Sequence, residues 1–226
     1  MPSSSTSHYS SGYFRYQEPQ GQFGGWADLP KFERWVSPDS RVVDFGCGGG
    51  FLLARLRCRE RKGVEINPVA RSAAAANGID IHASIAEIPT AWADLVISNH
   101  ALEHCPDPLE QLRGVLRVLR PGGRAVFVVP CESIRLRFSA DDVNRHLYSW
   151  SPGSLANLFL EAGFKVEECR PYVHAWPPRI YRALSRISGA LFHACARIYG
   201  ALTYWNLTPS TSSQVRIVAR RPGAFS

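Results

Sequence analysis

The stretch Val42-Val43-Asp44-Phe45-Gly46-Cys47-Gly48-Gly49-Gly50-Phe51-Leu52-Leu53 constrains the fold more than any other part of the chain. An apolar run ending in an acid, then clustered glycines, then apolar residues again reads as a buried parallel strand, a sharp loop and a helix start. The glycines let the backbone turn and let a ligand approach bare main chain. Amides at the start of the helix expected over residues 51–56 would draw in negative charge, a phosphate or a carboxylate. A dinucleotide-binding loop follows Gly-x-Gly-x-x-Gly, and counting from Gly46 its third glycine falls on Phe51. That pattern fails, and what stands is Asp44-x-Gly46-x-Gly48-x-Gly50.

A chain of 226 residues holds one full core with room for a tail, and 45% hydrophobic with 20% charged residues is ordinary globular composition. The formal charge of +7 points mildly to anionic partners. Arginines make up that excess and are scattered, so no nucleic-acid platform is indicated. The six cysteines form no C-x-x-C pair and no zinc spacing. They read as reduced thiols, which places the protein in the cytoplasm, and no metal is called for. No apolar run reaches the length of a membrane span, and the first residues lack the basic and apolar regions of a secretory signal.

Taken in order, residues 1–40 read as an arm and cap. Tyr13-Phe14-Arg15-Tyr16 and the glycines around Phe23 and Trp26 suggest a segment that folds over something or clamps a sheet edge. A short helix is expected over Leu29–Val36. Residues 41–176 form the core, with a second strand at Gly63–Ile66 that ends at Glu65. That acid lies about twenty residues beyond the glycine loop, where a doubly wound sheet sets a carboxylate against ribose hydroxyls. A helix over Val69–Asn77, a third strand over Ile79–Ala83 and a fourth over Asp94–Asn99 follow. Next come a helix over Leu109–Leu119, a tight turn at Pro121-Gly122-Gly123, and a fifth strand over Arg124–Val129. A helix over Gly153–Ala162 and a sixth strand over Lys165–Cys169 complete this part. Residues 177–209 carry apolar side chains at helical spacing with arginines opposite, as one long amphipathic helix or two broken near Gly189 or Gly200. Such a helix can lie on an anionic membrane surface, on its own domain, or on a second copy of the chain. Residues 210–226 supply a half-buried seventh strand.

Asp44-x-Gly46-x-Gly48, the acid Glu65 and the turn Leu119-Arg120-Pro121-Gly122-Gly123 together resemble the class I S-adenosylmethionine (SAM)-dependent methyltransferases. The resemblance covers roughly residues 13–175 and the last strand. It implies an α/β fold: a doubly wound, Rossmann-like, seven-stranded sheet with an antiparallel last strand, here with a helical insertion before it. It implies SAM as cofactor. Gly46, Cys47 and Gly48 would line its amino-acid part, with Asp44 fixing the loop and the amino group. Glu65 and Ile66 would take the ribose side, Ser84 and Ile85 would flank the adenine, and Asn99 with Leu102 would close the inner wall. Ser84 stands where the family has an acid, which weakens the bond to the adenine amino group. For the reaction, His146 and His104 are the candidates to take an acceptor proton, since histidine titrates in the useful range. Tyr13, Arg145 and Tyr148 are candidates for holding an acceptor, read as a small molecule, a glycan or a lipid-linked intermediate. A SAM-binding regulator or scaffold without transfer activity is the alternative.

Overall fold

The computed structural model describes residues 18, 21–132, 137, 139–140, 142, 144–172, 181–205 and 213–223. Tyr13 and the rest of its aromatic cluster lie outside them. Seven strands form one sheet in the order β3-β2-β1-β4-β5-β7-β6: β1 Arg41–Phe45, β2 Glu60–Val64, β3 Asp80–His82, β4 Ala93–Asn99, β5 Leu119–Cys131, β6 Lys165–Tyr172 and β7 Ser213–Arg220. The first five run parallel to their neighbours, and β7 is antiparallel to both β5 and β6. Strands β1 and β4 are buried along most of their length, which explains why they read as near-continuous apolar runs rather than as alternation.

The helical segments are α1 over residues 21–27, α2 Leu29–Phe32, α3 Pro68–Ala76, α4 Pro108–Val118, α5 Pro152–Glu161, α6 Tyr181–Ile187 and α7 Gly189–Trp205. Each of α3, α4 and α5 begins with a proline behind a side-chain cap, from Asn67, Asp107 and Ser151 respectively. Helices α4 and α5 cover one face of the sheet through Leu112, Val115, Leu155 and Phe159, all fully buried. Phe32, Leu52, Leu53, Leu56 and Ala74 cover the other.

Three expectations are corrected. Where a crossover helix over 51–56 was expected, there is a single 3-10 turn, Leu53–Arg55. Left-handed Gly50 (φ 73°) stands immediately before the expected helix, and too few residues remain between it and β2 to nucleate one. Strand β2 begins earlier than Gly63, within the basic segment, and stops at Val64, so Glu65 stands just past the strand end. The Pro121-Gly122-Gly123 turn is not a break before β5 but a bulge within it. Ala93 pairs with Leu119 and Leu95 with Arg124, leaving residues 120–123 looped out. Gly122 takes φ 77°, and a Cβ on Gly123 would stand 2.9 Å from the Arg120 carbonyl oxygen.

The insertion forms two helices that break at Ser188, beside Gly189. Its buried face is Phe192 and Ala196, packed against Ala27, with the Phe23 and Trp26 rings 5.6 and 4.9 Å from that of Phe192. Of the apolar residues at helical spacing, Ile187, Leu191, Ile198 and Leu202 are not covered by the domain and stand exposed, by 42–73%. The aromatic arm sets the rotation of α7, because it supplies the larger apolar surface to cover. Among the described residues no helix is long and apolar enough to cross a membrane.

Candidate active site

Strand order reverses between β1 and β4, and a cavity of about 580 Å³ opens there, outside their carboxyl ends. Asp44, Gly46, Cys47 and Gly48 line it from β1 and its loop, and Glu65 and Ile66 from the end of β2. Ser84 and Ile85 line it from beyond β3, Asn99 from the last position of β4 and His104 from beyond it. Leu102 does not: it is fully buried in the core beneath the 3-10 turn Leu102–His104. His146, Arg145 and Tyr148 do not line it either. Arg145 is exposed, and the Tyr148 hydroxyl donates to the Pro106 carbonyl oxygen at 3.0 Å.

The glycines serve distinct ends. A Cβ on Gly46 would sit 2.2 Å from that of Ala101, so this glycine lets β1 and β4 converge. Gly48, at φ 53°, faces nothing within 4 Å, so it is the place where a ligand can meet main chain. The loop amides are not left for an anion. The Gly48 N–H donates to Glu65 Oε2 at 2.9 Å and the Asn67 N–H to Glu65 Oε1 at 2.8 Å. Asn77 Nδ2 donates to the Gly49 carbonyl at 2.8 Å and fixes the far side of the loop. Ser84 caps the next turn, accepting from the Ala86 N–H at 3.2 Å, and its hydroxyl hydrogen stays available to donate.

The cavity is acidic although the chain is basic. Four carboxylates line it (Glu18, Asp28, Asp44 and Glu65), and no lysine or arginine does among the described residues. Burial and the neighbouring Glu65 push the Asp44 carboxyl up to about 7. Burial also raises Glu65, against the pull of the Asn67 and Gly48 amides and Arg71. Such a pair accepts a cation and repels a pyrophosphate.

The arm forms the roof. Gly21, Gly24, Gly25 and Asp28 line the cavity from α1 and the turn after it. A Cβ on Gly25 would stand 2.6 Å from the Phe51 backbone carbon, so α1 rests directly on the glycine loop. Gly25→Ala should therefore lift the roof at a cost of about 1–2 kcal/mol. Limited proteolysis checks this: cleavage in residues 18–30 should speed up while the core stays resistant.

Beneath the roof lies a buried group that motif reading missed. Lys31, 2% exposed, donates to Asn99 Oδ1 at 3.0 Å and pairs with Asp28 at 3.3 Å, while Asn99 Nδ2 donates to Asp28 Oδ2 at 3.0 Å. Burial lowers the Lys31 pKa against the pull of Asp28 and Glu103. The i, i+3 spacing of Asp28 and Lys31 was the available signal, but the same spacing is common on solvated helices.

Segment 144–150 returns to the end of β5, where the Trp150 N–H donates to the Pro130 carbonyl at 3.1 Å. The Leu147 N–H donates to the Glu103 carbonyl at 2.9 Å, which brings His146 beside His104 with ring centres 5.0 Å apart. His146 Nδ1 lies 2.6 Å from Glu132 Oε1. Neither Glu103, Glu132 nor His100, whose φ is 57°, was singled out for the site from sequence.

The chain matches the methyltransferase-domain family over residues 21–169. An uncharacterized methyltransferase of Mycobacterium bovis is 35% identical over 181 residues, covering 73% of this chain and 85% of that protein. A ubiquinone biosynthesis O-methyltransferase of Alkalilimnicola ehrlichii is 29% identical over 102 residues, so the chain spans only 40% of that relative's length. In fold, it is similar to a chain of the complex between the Haloferax volcanii Trm112 methyltransferase activator and a methyltransferase. There the TM-score is 0.68 at 17% identity, with 98% of this chain and 99% of that one covered. The family match takes in the glycine loop, the five parallel strands and most of the acidic lining, and the chain belongs to the class I SAM-dependent methyltransferases.

Proposed function

We propose that the chain moves the methyl group of SAM to an oxygen or nitrogen of a small-molecule acceptor held at the His104 end of the cavity. The observation that carries this reading is the acidic lining, four carboxylates with no lysine or arginine among the described residues. A cationic donor is welcome there and a nicotinamide dinucleotide is not. Glu65 would hold the ribose, Asp44 the amino group, and Gly48 the amino-acid chain. Ile66, 52% exposed at the rim, and Ile85 would sandwich the adenine, with Ser84 making one bond where an acid would make a stronger one. Bound there, SAM supplies a methyl on a sulfonium, whose C–S bond breaks as the acceptor's O–C or N–C bond forms, leaving a neutral thioether. The protein's part is to align the acceptor and exclude water.

His104 lines the cavity and is the group placed to take a proton from an acceptor hydroxyl. His146 stands behind it, held by Glu132, and acts as its partner rather than at the wall. The ubiquinone O-methyltransferase relative supports a small-molecule acceptor. The deciding experiment is turnover: S-adenosylhomocysteine should accumulate when the protein meets SAM and fractionated cell extract. Tight SAM binding with no turnover in any fraction would favour the silent regulator instead.

The exposed line Ile187, Leu191, Ile198 and Leu202, flanked by exposed Arg186 and Arg197, fits the surface of an anionic bilayer. The protein should sediment with phosphatidylglycerol vesicles and not with zwitterionic ones, and Ile198→Asp with Leu202→Asp should release it. Indifference to both vesicle types disposes of membrane contact.

A further inference from the structure

We propose that Glu103, His104 and His146 form a binding site for a first-row divalent cation, with Glu132 orienting the His146 ring. Each offers one ligand atom, and the three atoms lie within 4.8 Å of one another. The site goes beyond methyl transfer as such, and its link to the reaction rests on the reading of this end as the acceptor's.

Glu103 is the first reason. It is 0% exposed, and neither carboxylate oxygen accepts a hydrogen bond. A buried carboxylate left in that state is unfavourable unless something positive sits beside it. Among the described residues, the basic atoms within 4.0 Å are His100 Nδ1 at 3.3 Å and His146 Nε2 at 4.0 Å, both from Oε1, while the Lys31 ammonium, already paired with Asp28, acts on Glu103 only through its charge and not by a hydrogen bond. Neither histidine meets hydrogen-bond geometry.

The tautomer of His146 is the second. Its Nδ1 lies 2.6 Å from Glu132 Oε1, so the ring proton belongs on Nδ1, donated to that carboxylate. In the neutral ring the other nitrogen then carries the lone pair, 4.0 Å from Glu103 Oε1. Two lone pairs over that gap repel until an electrophile enters between them. Ligand bonds of about 2.1 Å span roughly 3.0 Å at a right angle and 4.2 Å in line, so the observed spacings need only a small closure round an ion. A carboxylate on the far nitrogen of a ligating imidazole is the usual arrangement for fixing ring and tautomer.

Two imidazoles and one carboxylate select a first-row ion such as Mn²⁺, Fe²⁺, Co²⁺ or Zn²⁺ over Mg²⁺ or Ca²⁺. Three protein ligands leave positions open, and His104 turns the site toward the cavity. A cation there would take over the task given above to the His104 ring: an acceptor hydroxyl bound to it loses its proton to solvent more readily. Motif reading could not find the set, because His146 reaches Glu103 and His104 only through the return of the chain to the end of β5.

The test titrates chelator-treated full-length protein with Co²⁺ alone, followed by visible absorption and calorimetry. We expect a single equivalent per chain, d–d bands of nitrogen and oxygen ligation, and no thiolate charge-transfer band. His146→Ala should abolish that equivalent, and Glu132→Gln should weaken it by about 10–100-fold. His82→Ala, on the far side of the sheet edge, should leave it intact. SAM titration of the same samples confirms that each variant is folded. No Co²⁺ uptake, uptake undiminished in His146→Ala, or a sulfur charge-transfer band overturns the site. Co²⁺ uptake in protein that ignores SAM would sink the methyl-transfer reading and leave the cation site standing.

Discussion

Glu65→Ala should lower SAM affinity by about 3 kcal/mol, more than a hundredfold, since the proposed ribose role gives Glu65 two charge-assisted hydrogen bonds that would be lost together. The effect has a second source. Glu65 also accepts from the Gly48 and Asn67 amides, at 2.9 and 2.8 Å, so its removal frees the loop that the donor rests on. Glu65→Gln separates the two. An amide keeps one acceptor oxygen, so it can hold one backbone N–H but not both, and its affinity should fall between wild type and alanine. Calorimetry with SAM and with S-adenosylhomocysteine reads both variants, and the losses should match for the two ligands, which share the ribose. An alanine variant that binds SAM within threefold of wild type would remove Glu65 from the ribose.

Much of this frame is legible in the residues because the central strands are buried on both faces. Val42-Val43, Leu95–Ile97 and Ala125–Val129 are apolar runs that helices could not share without more polar positions. The acid just past β2 is legible because the fold fixes the distance between the first two strand ends. Less legible is anything set by a segment that returns from far along the chain. The rotation of α7 depends on Phe23 and Trp26 more than 165 residues earlier, so its own period marks an apolar stripe but not which neighbour buries which residue. Leu102 and His104 lie two apart on one 3-10 turn, and only the turn's orientation sends the first into the core and the second to the cavity. The crossover at 51–56 fails for a local reason, a left-handed glycine immediately before it and a short run to β2, and that reason is visible in sequence only once Gly50 is known to take positive φ.

Asp44→Asn should make the empty protein more stable and the donor site useless. Asp44 is 3% exposed, and its carboxyl is raised from an ordinary value of 3.8 to about 7 by burial and by Glu65. Between those two values the folded state holds a proton that the unfolded chain has released. Stability of the empty fold therefore falls as pH rises through that window and levels off above it. By pH 8 the cost of the buried charge reaches at most about 4 kcal/mol. Asparagine carries no such charge, so the melting temperature of Asp44→Asn should exceed that of wild type by several degrees at pH 8, with the gap closing toward pH 5. The same linkage governs binding. A cationic donor needs the ionised carboxylate, so wild-type affinity for SAM should drop by up to tenfold for each pH unit below about 7, with proton release on binding. In the variant both the affinity and its pH dependence should be lost. Melting curves and calorimetry from pH 5 to 8 test the two halves independently. A variant no more stable than wild type at pH 8 would show that Asp44 is not held against its charge, and SAM binding that survives in it would show that the amino group is held elsewhere. An acid that destabilises the empty fold while the bound donor relieves it is the trade expected of a residue kept for its ligand.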